Sequence, residues 1–435
     1  MHHWQEALLI LRALARAVQG LGAAMASATG LSILVSAYPE GKKRNRALSV
    51  FAASTGSGFA AGLILGGLIT ATLGWRWVFD INVPIGVAVS LLSIKYISTA
   101  TRRAGENKPH LDILGAVSVT AGLMLLVYAL NSAQNIGIGS LQTLELLLSS
   151  VIVLTAFLFI EYRSKAPLMP LGFLRRGSIF GANAVGLLQV APFVGMIFIL
   201  TNYLQQVRGY SAFSAGLAFL PMAIVFLVIS ASFSSRLVDR FGVKPIIISS
   251  LALQTMAYLF LSRISVTESY FNGLLVPMLL IGIGTGLSFT AINIAALTGT
   301  RKGEEGLASG LINTSRQIGG PIGLAVLLTV ANFVTPGQIS KVVEHSTAAS
   351  AAIVTGFGYA FLGAALLTVL GIILTTLLNH KKHHQPRVVG TTVLHVSEHD
   401  LGCYIKIRII LLHFPFTIFR LEFPHYVVNP IIICY

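Results

Sequence analysis

From its first residues to about residue 380 the chain alternates long apolar runs with short polar connections. A membrane helix needs about 20 largely apolar residues. Eleven stretches meet that requirement: residues 7–37, 47–73, 78–98, 111–131, 142–162, 178–204, 213–235, 245–264, 271–298, 306–333 and 355–379. An odd number of crossings puts the two termini on opposite sides of the bilayer.

The connections are of two kinds. One set carries Lys42, Lys43, Arg44 and Arg46; Arg102, Arg103 and Lys108; Arg163, Lys165, Arg175 and Arg176; Arg236, Arg240 and Lys244; Arg301 and Lys302; and Lys381, Lys382 and Arg387. The alternate set holds only Arg76, Arg208, Arg263 and Lys341. Basic loops stay in the cytoplasm, so the first set is expected there and Met1 outside. One missed or invented span would scramble this alternation, which therefore supports the count.

Composition agrees. Of 435 residues, 54% are hydrophobic and 10% charged, against about 25% charged in a soluble domain. The net charge of +15 invites a nucleic-acid reading, but such binders gather their bases on a solvated face, whereas here they punctuate apolar runs. No nucleic-acid partner is expected. Cys403 and Cys434 both lie near the end, so the main body has neither a disulfide framework nor a CxxC metal site. The HKKHH run (His380 to His384) is explained as a basic helix end. GIGTG (Gly282 to Gly286) lies mid-span with no strand before it, which favours helix packing over a phosphate loop. No metal and no cofactor are expected, and no nucleophile–base constellation points to an enzyme. Arg12 and Arg16 interrupt the first apolar run, and no basic region precedes it, unlike a cleavable signal peptide.

Six segments follow one another in a specific order. They are ARAVQGLGAAM (Ala15 to Met25), WRWVFDINVPIG (Trp75 to Gly86), LDILGA (Leu111 to Ala116), APLMPLGFLRR (Ala166 to Arg176), NYLQQVRGYSAFSAGLAFLP (Asn202 to Pro221) and RLVDRFGVKP (Arg236 to Pro245). A seventh, GLASGLINTSRQIGGPIGLAV, runs from Gly306 to Val326. By order and spacing, over about residues 10 to 380, the chain resembles the 14-span drug/proton antiporter family of the major facilitator superfamily, the EmrB/QacA type.

The resemblance implies an all-α integral membrane bundle in which the eleven spans correspond to family helices four to fourteen, the chain being truncated at its N-terminus. Residues 1–100 would be the remnant of the N-terminal bundle, 101–165 an inserted helix pair, 166–380 the C-terminal six-helix bundle, and 381–435 a cytoplasmic tail outside the family pattern. It implies proton-coupled efflux of small drug-like molecules by alternating access, in a bacterial inner membrane. The partners would be substrate, protons and lipid, with a periplasmic adaptor and outer-membrane channel as in related systems. The competing expectation is a transport-incompetent remnant or scaffold of the same fold.

Individual residues carry these expectations. A charge in the bilayer core costs about 2.5–3.5 kcal/mol on insertion scales and marks a polar pathway. Arg16 is such a charge, and the resemblance implies a part in proton coupling for it. The membrane-end carboxylate Asp80 stands beside it as a second candidate. Polar residues within spans, namely Gln19, Asn183, Gln189, Asn202, Gln205 and Asn293, are candidates to line a substrate cavity. Gly58, Gly62 and Gly66 recur at every fourth position, with Gly67 next to the last, as expected of a close-packing face. This segment resembles the family's antiporter motif, with Leu63 standing where the family has proline. Arg236, Asp239, Arg240, Gly242 and Lys244 resemble the superfamily's loop motif, which latches cytoplasmic helix ends. Gly242 would permit its tight turn.

Overall fold

The structure is a computed structural model that describes residues 2–74, 76–96, 112–137, 139–164, 167–174, 176–301, 303–334 and 347–377. Eleven long helices lie among the described residues: α1 (His2–Ala37), α2 (Lys42–Thr72), α3 (Asn82–Tyr96), α4 (Ile113–Ile136), α5 (Leu141–Arg163) and α6 (Gly177–Asn202). After them come α7 (Ala212–Ile229), α8 (Val243–Leu261), α9 (Val276–Leu297), α10 (Glu305–Val334) and α11 (Thr347–Leu377). Each coincides with one predicted span. Ten are long and apolar enough to cross a membrane. The remaining one, α10, is 30 residues long but carries Asn313, Thr314, Ser315, Arg316 and Gln317 in succession.

The chain separates into two units, residues 1–90 with 109–380, and residues 91–108 with 381–435. In the second, the described residues are Leu91–Tyr96, the end of α3. The basic connection at 102–108, the HKKHH run and the tail after residue 388 lie outside the described residues.

Within the first unit, α6 packs on α10 and α11, α8 on α9 and α11, and α7 on α9. The α4 and α5 pair packs on itself and touches α10 through α4. From the N-terminal segment, α2 lies along α7 and α1 along α10. One apolar cluster is built around Tyr203, Phe219, Tyr258 and Phe361. A second joins Leu31, Val35 and Leu48 of α1 and α2 to Ile179, Leu251, Ile292 and Ile312. Large apolar side chains elsewhere, such as Ile94, Leu114, Leu141 and Leu366, point outward, as bundle helices do when the surrounding solvent is lipid.

Glycines set the closest helix contacts. In α10, a Cβ on Gly319 would meet the Leu187 carbonyl of α6 at 2.9 Å, and one on Gly323 would overlap the backbone of Ala191. The GIGTG run is a two-sided packing surface. A Cβ on Gly282 or Gly286 would come within 2.7 or 3.1 Å of the Met222 or Phe226 carbonyl of α7, and one on Gly284 within 2.7 Å of the Ser250 carbonyl of α8. Just past α7 a π-turn, Ser230–Ser234, brings two hydroxyls to one acceptor. Ser230 and Ser234 both donate to the Gly286 carbonyl, at 3.2 and 2.8 Å.

Candidate functional site

Three polar regions interrupt the apolar bundle: a buried centre, a set of ties at one end, and a groove beside α2.

The buried centre is built by α6, α9 and α10. Asn183 donates to the Ile179 carbonyl at 2.7 Å and accepts from the Ser315 hydroxyl at 3.0 Å. One turn of α10 is thus held to α6 by a side-chain pair. The next residue, Arg316, donates from Nη1 to Asn293 Oδ1 at 3.0 Å and from Nη2 to the Phe289 carbonyl at 3.3 Å. Its guanidinium lies 4.1 Å from the centroid of the Phe289 ring, in range for a cation–π contact. Arg316 is only 7% exposed, and its Nε has no hydrogen-bond partner. Gln189, further along α6, is buried with its Oε1 unpartnered.

The ties lie where the basic connections converge. Arg44 at the start of α2 donates to the Leu297 carbonyl at the end of α9, at 2.8 Å, and pairs with Glu40 at 3.5 Å. Glu40 also accepts from the Gly299 amide at 3.0 Å. Asn45 donates to Asp239 at 2.6 Å. Ser309 and Asn313 of α10 donate to the Ala28 and Ser27 carbonyls of α1, at 3.1 and 3.2 Å. Arg176 holds Glu304 through both guanidinium nitrogens, at 2.6 and 2.9 Å. That bidentate contact holds the Glu304 carboxyl down at about 2 and raises the Arg176 guanidinium. Asp112 caps α4 by accepting from the Gly115 amide at 2.8 Å, and Glu161 of α5 accepts from the Met169 amide.

The residues of the sequence-expected latch meet other partners. Asp239 reaches Asn45 of α2, Lys244 donates to the Thr376 carbonyl of α11 at 2.8 Å, and Arg240 lies over the Phe241 ring at 5.3 Å. Arg236 is exposed. Gly242 has φ +88, a conformation L side chains disfavour, and it makes the turn into α8. Among the described residues the ion pairs are Arg44–Glu40 and Arg176–Glu304, both outside the motif.

The groove beside α2 has a volume of about 270 Å³ and is lined by Gly62, Gly66, Gly67, Thr201, Gln205 and Gly216, among others. It joins one cavity candidate, Gln205, to three of the four motif glycines. A Cβ on Gly58, Gly62 or Gly66 would meet nothing within 4 Å, whereas one on Gly67 would come within 3.1 Å of Phe213 Cα of α7. Contact with α7 instead uses Gly56, where a Cβ would press on Phe226 at 2.6 Å, and the Leu63 carbonyl, which is 2.8 Å from a Cβ on Gly216. The packing face of α2 is thus offset from the repeating glycines.

Other predicted residues fall apart from these regions. Asp80 is exposed in the short helical turn Trp77–Asp80. Gln19 is exposed on α1. Arg16 belongs to α1, and its side chain lies outside the described residues. Asn202 donates to the Phe198 carbonyl at 2.9 Å and accepts from Gln206 at 2.8 Å. Sequence reasoning brought out Asn183 and Asn293 but passed over Arg316 and Arg44. The signal for Arg316 was present, because it interrupts an apolar run as Arg16 does.

A profile of the Major Facilitator Superfamily matches residues 2–324. The chain is 34% identical over 387 residues to the cephamycin export protein CmcT of Amycolatopsis lactamdurans, covering 88% of this chain and 76% of the relative. It is 32% identical to the puromycin resistance protein of Streptomyces alboniger, covering 83% and 71%. Against the multidrug resistance protein Stp of Mycobacterium tuberculosis the figures are 33% identity, 73% of this chain and 58% of the relative. Among solved structures, the human organic anion transporter MFSD10 aligns with a TM-score of 0.53 at 16% identity, over 79% of this chain and 66% of that one. A likeness at that identity speaks for the fold. The matched profile, the long antibiotic-export relatives and the bundle of apolar helices together place the chain in the Major Facilitator Superfamily, as a multi-pass membrane protein.

Proposed function

We propose that the protein exports small drug-like molecules across a bacterial inner membrane in exchange for protons, by alternating access, as a transporter of the 14-span drug/proton antiporter type. The observation that carries this reading is the likeness, over most of the chain, to proteins named for antibiotic export and resistance. Two structural features support it. The ties from α1 and α2 to α9, α10 and the Asp239 segment gather at one end, where a rocking motion between halves would have to break them. The buried centre supplies polar groups within an apolar bundle, where they mark a pathway.

In this reading Arg16 and Asp80 take part in proton coupling, Asn183, Asn293, Gln189 and Gln205 face the translocated molecule, and Asp239 with Asn45 belongs to the gate at the basic end. Where the cell has an outer membrane, a periplasmic adaptor and an outer-membrane channel would continue the path.

The test is accumulation in efflux-deficient cells expressing the chain, over a panel of dyes and antibiotics. At least one compound should accumulate less, and an uncoupler that collapses the proton gradient should abolish the difference. Unchanged accumulation of every compound, with the protein present in the membrane, would instead favour a non-transporting scaffold.

A further inference from the structure

The centre formed by α6, α9 and α10 holds a charge with no partner of opposite sign among the described residues. Arg316 stands eleven residues into α10, about 16 Å along its axis at 1.5 Å per residue, which is roughly half the 30 Å thickness of a bilayer core. A guanidinium stays cationic at neutral pH. Its hydrogen bonds run to an amide oxygen and a backbone carbonyl, and its face lies on an aromatic ring. All three groups are neutral. Neither ion pair among the described residues involves Arg316. Its Nε remains without a hydrogen-bond partner although the side chain is buried.

A residue serving only to brace α9 to α10 would not need this charge. Leaving a buried donor unsatisfied costs about 1–3 kcal/mol, more for a charged group. The contacts instead engage both Nη nitrogens and one face of the guanidinium and leave the Nε–H, on the Nε–Nη edge, over. That edge presents two parallel N–H groups, the fork that a carboxylate fills in bidentate fashion.

We propose that Arg316 is the receptor for a carboxylate on the transported molecule, with Asn293 and Phe289 as positioning residues, so that the substrates are organic anions. The Asn183–Ser315 pair fixes the preceding residue of α10 against α6 and so holds the register of the fork. The inference rests on the efflux reading, since a binding centre inside the bundle serves a molecule that passes through it.

The test uses the purified full chain in lipid nanodiscs and two dyes on one xanthene skeleton: carboxyfluorescein, an anion, and tetramethylrhodamine methyl ester, a cation. Binding is read by fluorescence polarisation, and transport in proteoliposomes under an imposed proton gradient. The wild-type chain should bind carboxyfluorescein. Arg316→Gln should weaken that binding by about tenfold or more, the loss expected for one charge-assisted hydrogen bond. Binding of the cationic ester, where measurable, should not change. Arg316→Lys keeps the charge without the fork and should fall between, and it decides the matter should the glutamine variant fail to fold. Equal loss of both dyes in a folded variant would overturn the proposal in favour of a brace. Wild-type chain that binds the cationic ester but not carboxyfluorescein, or binds neither dye, would also overturn it; in the first case the efflux reading stands. Arg316-dependent binding of carboxyfluorescein with no transport of either dye would uphold the anion site and sink the efflux reading.

Discussion

Helices α3 and α9 are both apolar enough to cross a membrane, yet their surroundings are opposite. Of the most apolar window of α9, 67% is buried inside the protein; of the window that includes α3, none is. In α9, Gly282, Gly284 and Gly286 admit neighbouring backbones on two sides, and Ser288 and Asn293 hydrogen-bond within the bundle. In α3, Val83, Ile85, Val87, Val89, Leu91 and Ile94 all point outward. Lipid tails are as apolar as leucine, so hydrophobicity does not distinguish a neighbour helix from lipid. Small residues and polar pairs make that distinction, and α9 has them.

The contrast between packed and open positions can be broken most severely at Gly323. A Cβ there overlaps the backbone of α6, which cannot give way as a flexible side chain would. Gly323→Val should reduce the yield of folded, monodisperse protein sharply, with a loss at or beyond the usual 1–3 kcal/mol of overpacking. Measured recovery and melting temperature equal to wild type would show that α6 and α10 are not held as described.

Arg44→Gln comes next. It removes a charged donor from the Leu297 carbonyl, an interaction in a class worth about 1.5–3 kcal/mol. The chain should spend more time open at the basic end, read as faster labelling of a cysteine introduced at Ser309. Unaltered labelling would mean that the tie does not hold the two segments together.

Replacing Ser230 and Ser234 together by alanine leaves the Gly286 carbonyl without its two hydroxyl donors. Interhelical hydrogen bonds in membranes average about 0.6 kcal/mol, so a small fall in melting temperature is expected. At Gly62, where a Cβ meets nothing, alanine should leave stability unchanged or raise it by about 0.5–1 kcal/mol through reduced backbone freedom. A destabilising Gly62→Ala would reveal a close neighbour on the groove side.

The smallest effect is in acid. The Glu304 carboxyl is held at about 2 by Arg176, below its ordinary value near 4.5. Its contribution to stability is therefore present above pH 4.5 and lost as pH falls from 4.5 toward 2. Glu304→Gln should flatten that part of the stability–pH curve, and added salt should weaken the half-buried pair in the same direction. Identical curves for the two proteins would rule the contact out as a source of acid sensitivity.

Much of the architecture could be read directly. Eleven long helices, ten of them apolar enough to cross a membrane, and the packing use of GIGTG follow from composition and position along one chain. The site was harder to read. Asn183 and Asn293 stood out as polar residues in spans, but their partners Ser315 and Arg316 lie more than a hundred and more than twenty residues away respectively. The glycine repeat at 58, 62 and 66 predicted a packing face on α2, while the face against α7 runs through Gly56, Leu63 and Gly67. The motif around Asp239 was legible as a loop motif, but the carboxylate's partner Asn45 lies 194 residues earlier.

The sequence by itself determined which segments are apolar enough to cross a bilayer, because transfer of each segment from water to hydrocarbon depends on that segment's own residues. Only the tertiary structure decided which side chains meet. A hydrogen bond such as Arg316 to Asn293 depends on the rotation and depth of two separate helices at once, and neither helix's sequence contains the other's position.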